Sequence, residues 1–355
     1  MMSQKTGKAV TKASGTNSSS HYFVLLIVLA LLISALLGYF FSLTYRQTEN
    51  AIEVSSLNEA KVLSTRTDST IRRIESSLTY VASQVTDEIS RNTKTPGFSE
   101  RIHQSLTILA LRFPEVMDYI VFDAEGKVAY SNNTALEKFS IADRDYFNRI
   151  RNAPEKGLHF SEALVSRSSG HSIVVAFQPM LGADGNFLGI VASGINLNYF
   201  SKMFSEIQVG EQGMVSIRRS DDSRLVVRWP EVADEINKTA NQTPPFLRIK
   251  DGQTEGVIRY TGKTDGIDRI FAFHQVTDYP FYVLVGRSSE EQFASWRHMV
   301  IISLVLTLCV LLMLWMLLSR LRHSEKKQRE ASLFLSNTQS IDHVGGWKVN
   351  PPENK

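Results

Sequence analysis

The chain is 355 residues long, 43% hydrophobic and 21% charged, with a formal net charge of +3. That balance is ordinary for a folded protein and too weakly positive to suggest nucleic-acid binding. Its single cysteine, Cys309, excludes an intramolecular disulfide framework and a cysteine-based zinc site, so any large domain here must be held by its own core.

Residues 1–21 are polar and rich in Ser, Thr and Lys, and read as a cytoplasmic tail. From Tyr22 to Leu43 the chain carries no charge, and from Met299 to Ser319 the same holds. Each run is about 21 residues, enough at about 1.5 Å per residue to cross a hydrocarbon core of about 30 Å. A buried core helix would rarely stay apolar on every face for so long. The first run is also longer than a signal-peptide core and no A-x-A cleavage site follows it. Both are therefore expected to be transmembrane helices, at 22–43 and 299–319. Lys5, Lys8 and Lys12 precede the first, and Arg320, Arg322, Lys326, Lys327 and Arg329 follow the second. The flanks facing the middle carry only Arg46 and Arg297 nearby, so both termini are expected in the cytoplasm of a bacterial inner-membrane protein and residues 44–298 in the periplasm. The lipid bilayer is thus an expected partner.

Between the spans, residues 44–91 lack Pro and Gly, and Ile71, Ile74, Leu78, Val81 and Val85 recur at spacings of three and four. This is one apolar stripe on a continuous helix, serving either a heptad seam against a twin or packing on its own domain. Thr95-Pro96-Gly97 ends it, and a second helix is expected over 98–112. MDYIVFD and KVAYSN then read as strands around an Ala124-Glu125-Gly126 turn. DRDYFNRIRNA is a short helix beginning near Asp143, and HFSEALVS, SIVVAFQPM and FLGIVASGIN are three further strands. The order gives a five-stranded antiparallel sheet with helices on one side, a PAS-like α+β module. The pattern repeats with GMVSIRR, RLVVRWP, GVIRYTG, RIFAFHQV and FYVLVGR. SSEEQFASWRH starts a helix, with Ser288 or Ser289 as cap and Glu290 and Glu291 in its first turn, that runs into the second span without a break.

The succession of long helix, ADRDYF, SRSSGHSIVVAFQPM, DGNFLGIVASGINLNYF, GEQGMVSIRR and RLVVRWP resembles the double Cache sensor domains, above all those found outside the membrane in diguanylate cyclases. The resemblance covers roughly residues 44–298. It implies two stacked PAS-like antiparallel-sheet modules on one long helix, a distal one at about 98–200 and a proximal one at about 210–290, with a small ligand in the distal module. Residues 339–350, QSIDHVGGWKVN, look like the opening of a PAS domain. With 320–340 as a linker helix and only 341–355 beyond it, the chain is expected to be the front part of a longer signalling protein or a gene fragment. The implied output is a diguanylate cyclase or phosphodiesterase, with a histidine kinase, or a stand-alone binding protein, as the alternative. A homodimer is the implied assembly.

In the resembling family the arginine and aromatic of the DRDYF-like segment reach the distal pocket, which points to Arg144 and Tyr146, with Asp143, Asp145 and Phe147 beside them. A guanidinium at a helix start can fork onto a carboxylate while a ring closes over the ligand's apolar part. The bland reading is that Asp143 caps the helix and Arg144 pairs with Asp145. Arg167 and His171 either add positive charge over the pocket or sit in an exposed loop, and Tyr130 and Ser131 either wall the pocket or pack. Where amino-acid-binding relatives place acids and a tyrosine, this chain has Leu164, Ser166 and Asn196. An ammonium group buried without an acid is costly, so the expected small-molecule ligand is an organic acid or another anionic or neutral metabolite in place of an α-amino acid. Arg228 is expected to make a structural salt bridge. Four histidines between the spans, His103, His159, His171 and His274, lack paired metal-ligand spacing. The sequence holds no P-loop, no G-x-S-x-G elbow and no cyclase or kinase motif, so no enzyme, metal or cofactor is expected in this chain.

Overall fold

The computed structural model describes residues 18–91, 95–136, 138–167 and 169–341. The expected PAS opening at 342–355 and most of the N-terminal tail lie outside the described residues. Helix α1 (Ser18–Ser90) is continuous, because nothing between residues 44 and 90 breaks it. There follow α2 (Phe98–Arg112), β1 (Val116–Asp123), β2 (Val128–Ser131), a 3₁₀ turn at Thr134–Leu136 and α3 (Asp145–Asn152). Strands β3 (His159–Val165), β4 (Ser172–Leu181) and β5 (Phe187–Asn196) complete the first module, and α4 (Leu197–Ser205) leaves it. The second holds β6 (Met214–Arg219), β7 (Leu225–Trp229), α5 (Pro244–Lys250), β8 (Glu255–Thr261), β9 (Asp268–Gln275) and β10 (Phe281–Ser288). The chain closes with α6 (Ser289–Gln292) and α7 (Ala294–Ile341).

The two sheets share one antiparallel topology, β2-β1-β5-β4-β3 and β7-β6-β10-β9-β8. In each, the first two strands form a hairpin and the last strand returns beside the first, with Ser193 opposite Tyr119 in one sheet and Val285 opposite Val215 in the other. The fold is α+β with two five-stranded modules on a long N-terminal helix.

Each sheet is buried on both faces. One face of both sheets joins a single core cluster with Leu63, Ile71, Ile74, Leu78, Val81 and Val85 of α1. The apolar stripe therefore packs on the helix's own domain. The opposite face of each sheet carries a smaller cluster of its own, and in the first module that cluster includes Tyr146, Phe147 and Ile150 of α3. Helices thus flank this sheet on both sides, not on one side as the sequence suggested.

Polar bonds tie α1 to both modules at one level. Arg73 pairs with the buried Glu115 at 2.7 Å in the first module. The Tyr279 hydroxyl of the second module donates to Glu75 at 2.7 Å, and the Thr79 and Gln178 side chains hydrogen-bond at 3.1 Å. The modules also clamp each other. Ala163, on edge strand β3, donates its N–H to Asn237 Oδ1 at 3.1 Å and accepts from Asn237 Nδ2 at 2.6 Å. An amide from one module thus satisfies the free edge of the other. Phe160 meets Phe281 edge-on at 4.8 Å.

Residues Glu49–Phe293 form one compact unit; the terminal segments form a second. Two helices, running over Phe23–Ser90 and Ala294–Ser332, are long and apolar enough to cross a membrane. In the terminal unit the Trp296 indole N–H donates to Thr44 Oγ1 at 3.1 Å, and its ring meets Tyr45 edge-on at 5.4 Å. The helix expected to run unbroken into the second span is interrupted at Phe293, where α6 stops and α7 begins. Ser288 occupies the N-cap of α6 but makes no capping bond; its hydroxyl donates to Gln212 Oε1 at 2.9 Å instead.

Candidate functional site

The first module holds a cavity of about 60 Å³ on the sheet face turned away from α1. That is several times the roughly 10–15 Å³ needed to hold one water. Strand alternation builds its floor. Asp118, Ile120 and Phe122 of β1 share a face, as do Ile173 and Val175 of β4, and all five line the cavity. Its cover comes from the 3₁₀ turn, residues 139–146, and Leu164, Ser166 and Arg167 at the end of β3.

A glycine sets the cover's height. Gly126 adopts φ +79°, and a Cβ there would stand 2.9 Å from both Ala142 N and Phe147 Cε1. The turn can therefore press against the start of α3, and the Gly126 carbonyl accepts from Ile141 N at 2.9 Å and Ser140 Oγ at 3.1 Å. These bonds hold the segment that delivers Arg144.

Arg144 is the N-cap residue of α3 and makes no capping bond. Among the described residues its guanidinium has no ion pair and no hydrogen bond, although it is half-buried and lines the cavity. Tyr146 is 8% exposed, lies 5.1 Å from the Phe177 ring, and finds no hydrogen-bond partner for its hydroxyl among the described residues. Burial pushes its phenol up to about 12, against the pull of the nearby Arg144 and Arg167 charges. Arg167 stands at the mouth, bonded to Asp143 at 2.7 Å and 5.7 Å above the Phe139 ring. The Arg167 bond holds the Asp143 carboxyl below its usual range. Asp143 is therefore the partner of Arg167 and not a helix cap, and Arg144 does not pair with Asp145.

Arg144, Tyr146 and Arg167 thus line one cavity, and five other sequence candidates lie elsewhere. Phe147 is wholly buried below the cavity, 6.0 Å from the Phe187 ring, and Asp145 points outward in the first turn of α3. Tyr130 sits on the other sheet face, paired with Val121 and edge-on to Phe98 at 5.9 Å and to His103 at 6.4 Å. Ser131 is buried and accepts from Asn133 N at 3.0 Å. His171 is exposed in the β3–β4 turn, where its carbonyl accepts from Ser166 N at 2.8 Å.

One residue was missed. Asp118 lines the cavity, with its Oδ1 accepting from Asn133 Nδ2 at 3.2 Å. The expectation of a pocket without an acid is corrected on this point. Asn196 does not supply one, since its side chain accepts from Asn198 N at 3.0 Å as the cap of α4. The alternation Asp118, Ile120, Phe122 was the readable signal, because two residues of that face are apolar and core-directed.

A family model described as Cache domain matches residues 44–296. No curated protein matches the chain. Among solved structures, the extracellular domain of the putative histidine kinase rpHK1S-Z16 is 24% identical with a TM-score of 0.60, covering 72% of this chain and 100% of that one. The periplasmic sensory domain of the Campylobacter jejuni chemoreceptor Tlp1 is 12% identical with a TM-score of 0.56, covering 69% of this chain and 98% of that one. The ligand-binding domain of the Pseudomonas aeruginosa PAO1 chemoreceptor PctB, solved with L-Arg, is 13% identical with a TM-score of 0.53, covering 69% and 98%. At these identities the structures establish the shared fold.

Proposed function

We propose, for a chain that belongs to the Cache-domain family, that it is a membrane-anchored sensor whose first module captures a small carboxylate and passes the event inward. The observation that carries this reading is a guanidinium, Arg144, beside a phenol, Tyr146, neither hydrogen-bonded among the described residues, at the edge of a small cavity with an apolar floor. A carboxylate supplies what both lack: its two oxygens carry lone pairs enough to accept from the fork of Arg144 and from the Tyr146 hydroxyl together. Arg167 adds positive charge at the mouth, and the apolar floor takes the rest of the ligand. The apolar helices are the anchors, with the module outside the membrane and both termini in the cytoplasm. Ligand binding biases α1 and α7 toward one arrangement of a homodimer, and the output is a cyclic-di-GMP enzyme, with a histidine kinase as the rival.

Calorimetric titration of the full chain in detergent with short organic acids tests the site. Binding weakened at least tenfold by Arg144→Ala is the expected result. Binding of amino acids that Arg144→Ala leaves untouched overturns it.

Asp118 favours a second reading, in which the ligand is an α-amino acid. Its carboxylate stands in the same lining as Arg144, so ammonium and carboxylate groups of one ligand would each have a partner. PctB, a structure of the same fold, was solved with an amino acid. Asp118→Asn separates the two, since it removes amino-acid binding and leaves organic-acid binding intact.

A further inference from the structure

The second module contains a larger cavity, about 300 Å³, on the equivalent sheet face. Alternation places Arg218 of β6, Arg228 of β7 and Arg269 of β9 there, and they are 9%, 7% and 2% exposed. Three guanidiniums so deeply buried need compensating negative charge. One carboxylate serves two of them. Asp265 takes a two-pronged bond from Arg269, both at 2.8 Å, and a third from Arg228 Nη2 at 2.8 Å. Burial alone would push Asp265 up, but these bonds outweigh it and hold the group at about 2. Asp265 is therefore ionised at neutral pH, with both oxygens engaged by Arg228 and Arg269.

The remaining positive charge has no such answer. Arg218 donates only to carbonyls, Ser223 O at 2.9 Å and Lys238 O at 3.5 Å. Arg228 Nε is buried without a hydrogen-bond partner. At the rim, Lys263 is exposed and has no ion pair among the described residues, while Lys238 is matched by Glu235 at 3.1 Å. The lining thus sets five cationic side chains against two carboxylates.

We propose that this cavity is a second ligand site, built for a small oxyanion carrying two negative charges, of the phosphate or dicarboxylate kind. Such an anion offers acceptors to Arg218 and to Lys263, and cancels most of the excess charge in one step. Tyr260 and Phe271 add apolar wall to the cavity. Nothing in this assignment depends on what the first module binds.

The test uses the full chain in detergent, titrated calorimetrically with inorganic phosphate and, separately, with succinate. At least one anion is expected to bind, and the stronger arm identifies the chemistry. Both titrations are run in an Arg144→Ala background, which silences the carboxylate site of the first module; in that background Arg218→Gln and Lys263→Ala are each expected to weaken binding at least tenfold. If Arg218→Gln fails to fold, Lys263→Ala decides alone, because that side chain is exposed. Absence of binding by both anions at millimolar concentration overturns the proposal. So does binding, in that background, that Lys263→Ala does not weaken.

Discussion

The two modules have the same strand order and use the same helix for one sheet face, yet they treat the other face in opposite ways. The first leaves its arginines at the edge of an apolar cavity, half-buried or exposed, where their charge is solvated at little cost. The second places three arginines directly on the sheet and stabilises two of them with one shared carboxylate. Charge in the first module is thus free to serve a ligand without supporting the fold. In the second, the same residue type is part of the scaffold. Identical topology therefore says little about which arginines are structural.

The difference can be broken at Asp265. Asp265→Ala leaves Arg228 and Arg269 buried without a counter-charge and is expected to cost about 3 kcal/mol in urea unfolding, the largest effect of the set. The pH dependence has a definite sign. The folded-state group sits at about 2, below its ordinary value of 3.8, so its stabilisation is full above about pH 4 and fades as pH falls toward 2. Acid unfolding followed by circular dichroism checks this, since the wild type alone should show that loss.

Gly126→Ala comes next. The added methyl must displace backbone at Ala142 and a core ring at a positive φ, at a cost of about 1–3 kcal/mol. Because the same contact holds Arg144, thermal unfolding and ligand affinity should fall together. Asn237→Ala tests the clamp between the modules. It leaves the N–H and C=O of Ala163 without their partner and is expected to cost about 1–2 kcal/mol. Asn237 has φ 66°, so Asn237→Gly, which relieves that backbone, should lose less. Arg144→Ala is the smallest in stability, within about 0.5 kcal/mol, because nothing in the described protein bonds to its guanidinium. Its effect belongs to binding, and a shift of the unfolding midpoint without ligand would contradict the contrast between modules.

The strands were legible because each pairs an apolar run with a nearby turn such as Ala124-Glu125-Gly126, and both signals are local. The same holds for the stripe from Ile71 to Val85, although only the fold decides what that stripe packs against. Helices α4 and α5 were not read. Helix α4 follows β5 directly, with Asn196 as its cap and no Gly or Pro between. Helix α5 opens on two prolines, which read as a loop. The site was legible where one segment carries it, as with Arg144 and Tyr146. Asp118 was hidden inside a strand word, and Arg218, Arg228 and Arg269 come together only through β-pairing across more than fifty residues. Tyr130 and Ser131 are consecutive on β2 and so cannot both face the cavity; Tyr130, paired with Val121, takes the α1 side.

The bonds of α1 give it a gear-like property. Within two turns, Arg73 grips one module, Glu75 the other and Thr79 the first again. Glu115, only 1% exposed, has its cation in place at one setting of the helix. A slide or twist that carries Arg73 away strands a buried carboxylate, and one turn along in either direction brings only Ser69, Thr70, Ser76 or Ser77 in its place. The teeth therefore mesh at one setting, and leaving it breaks bonds on both modules at once.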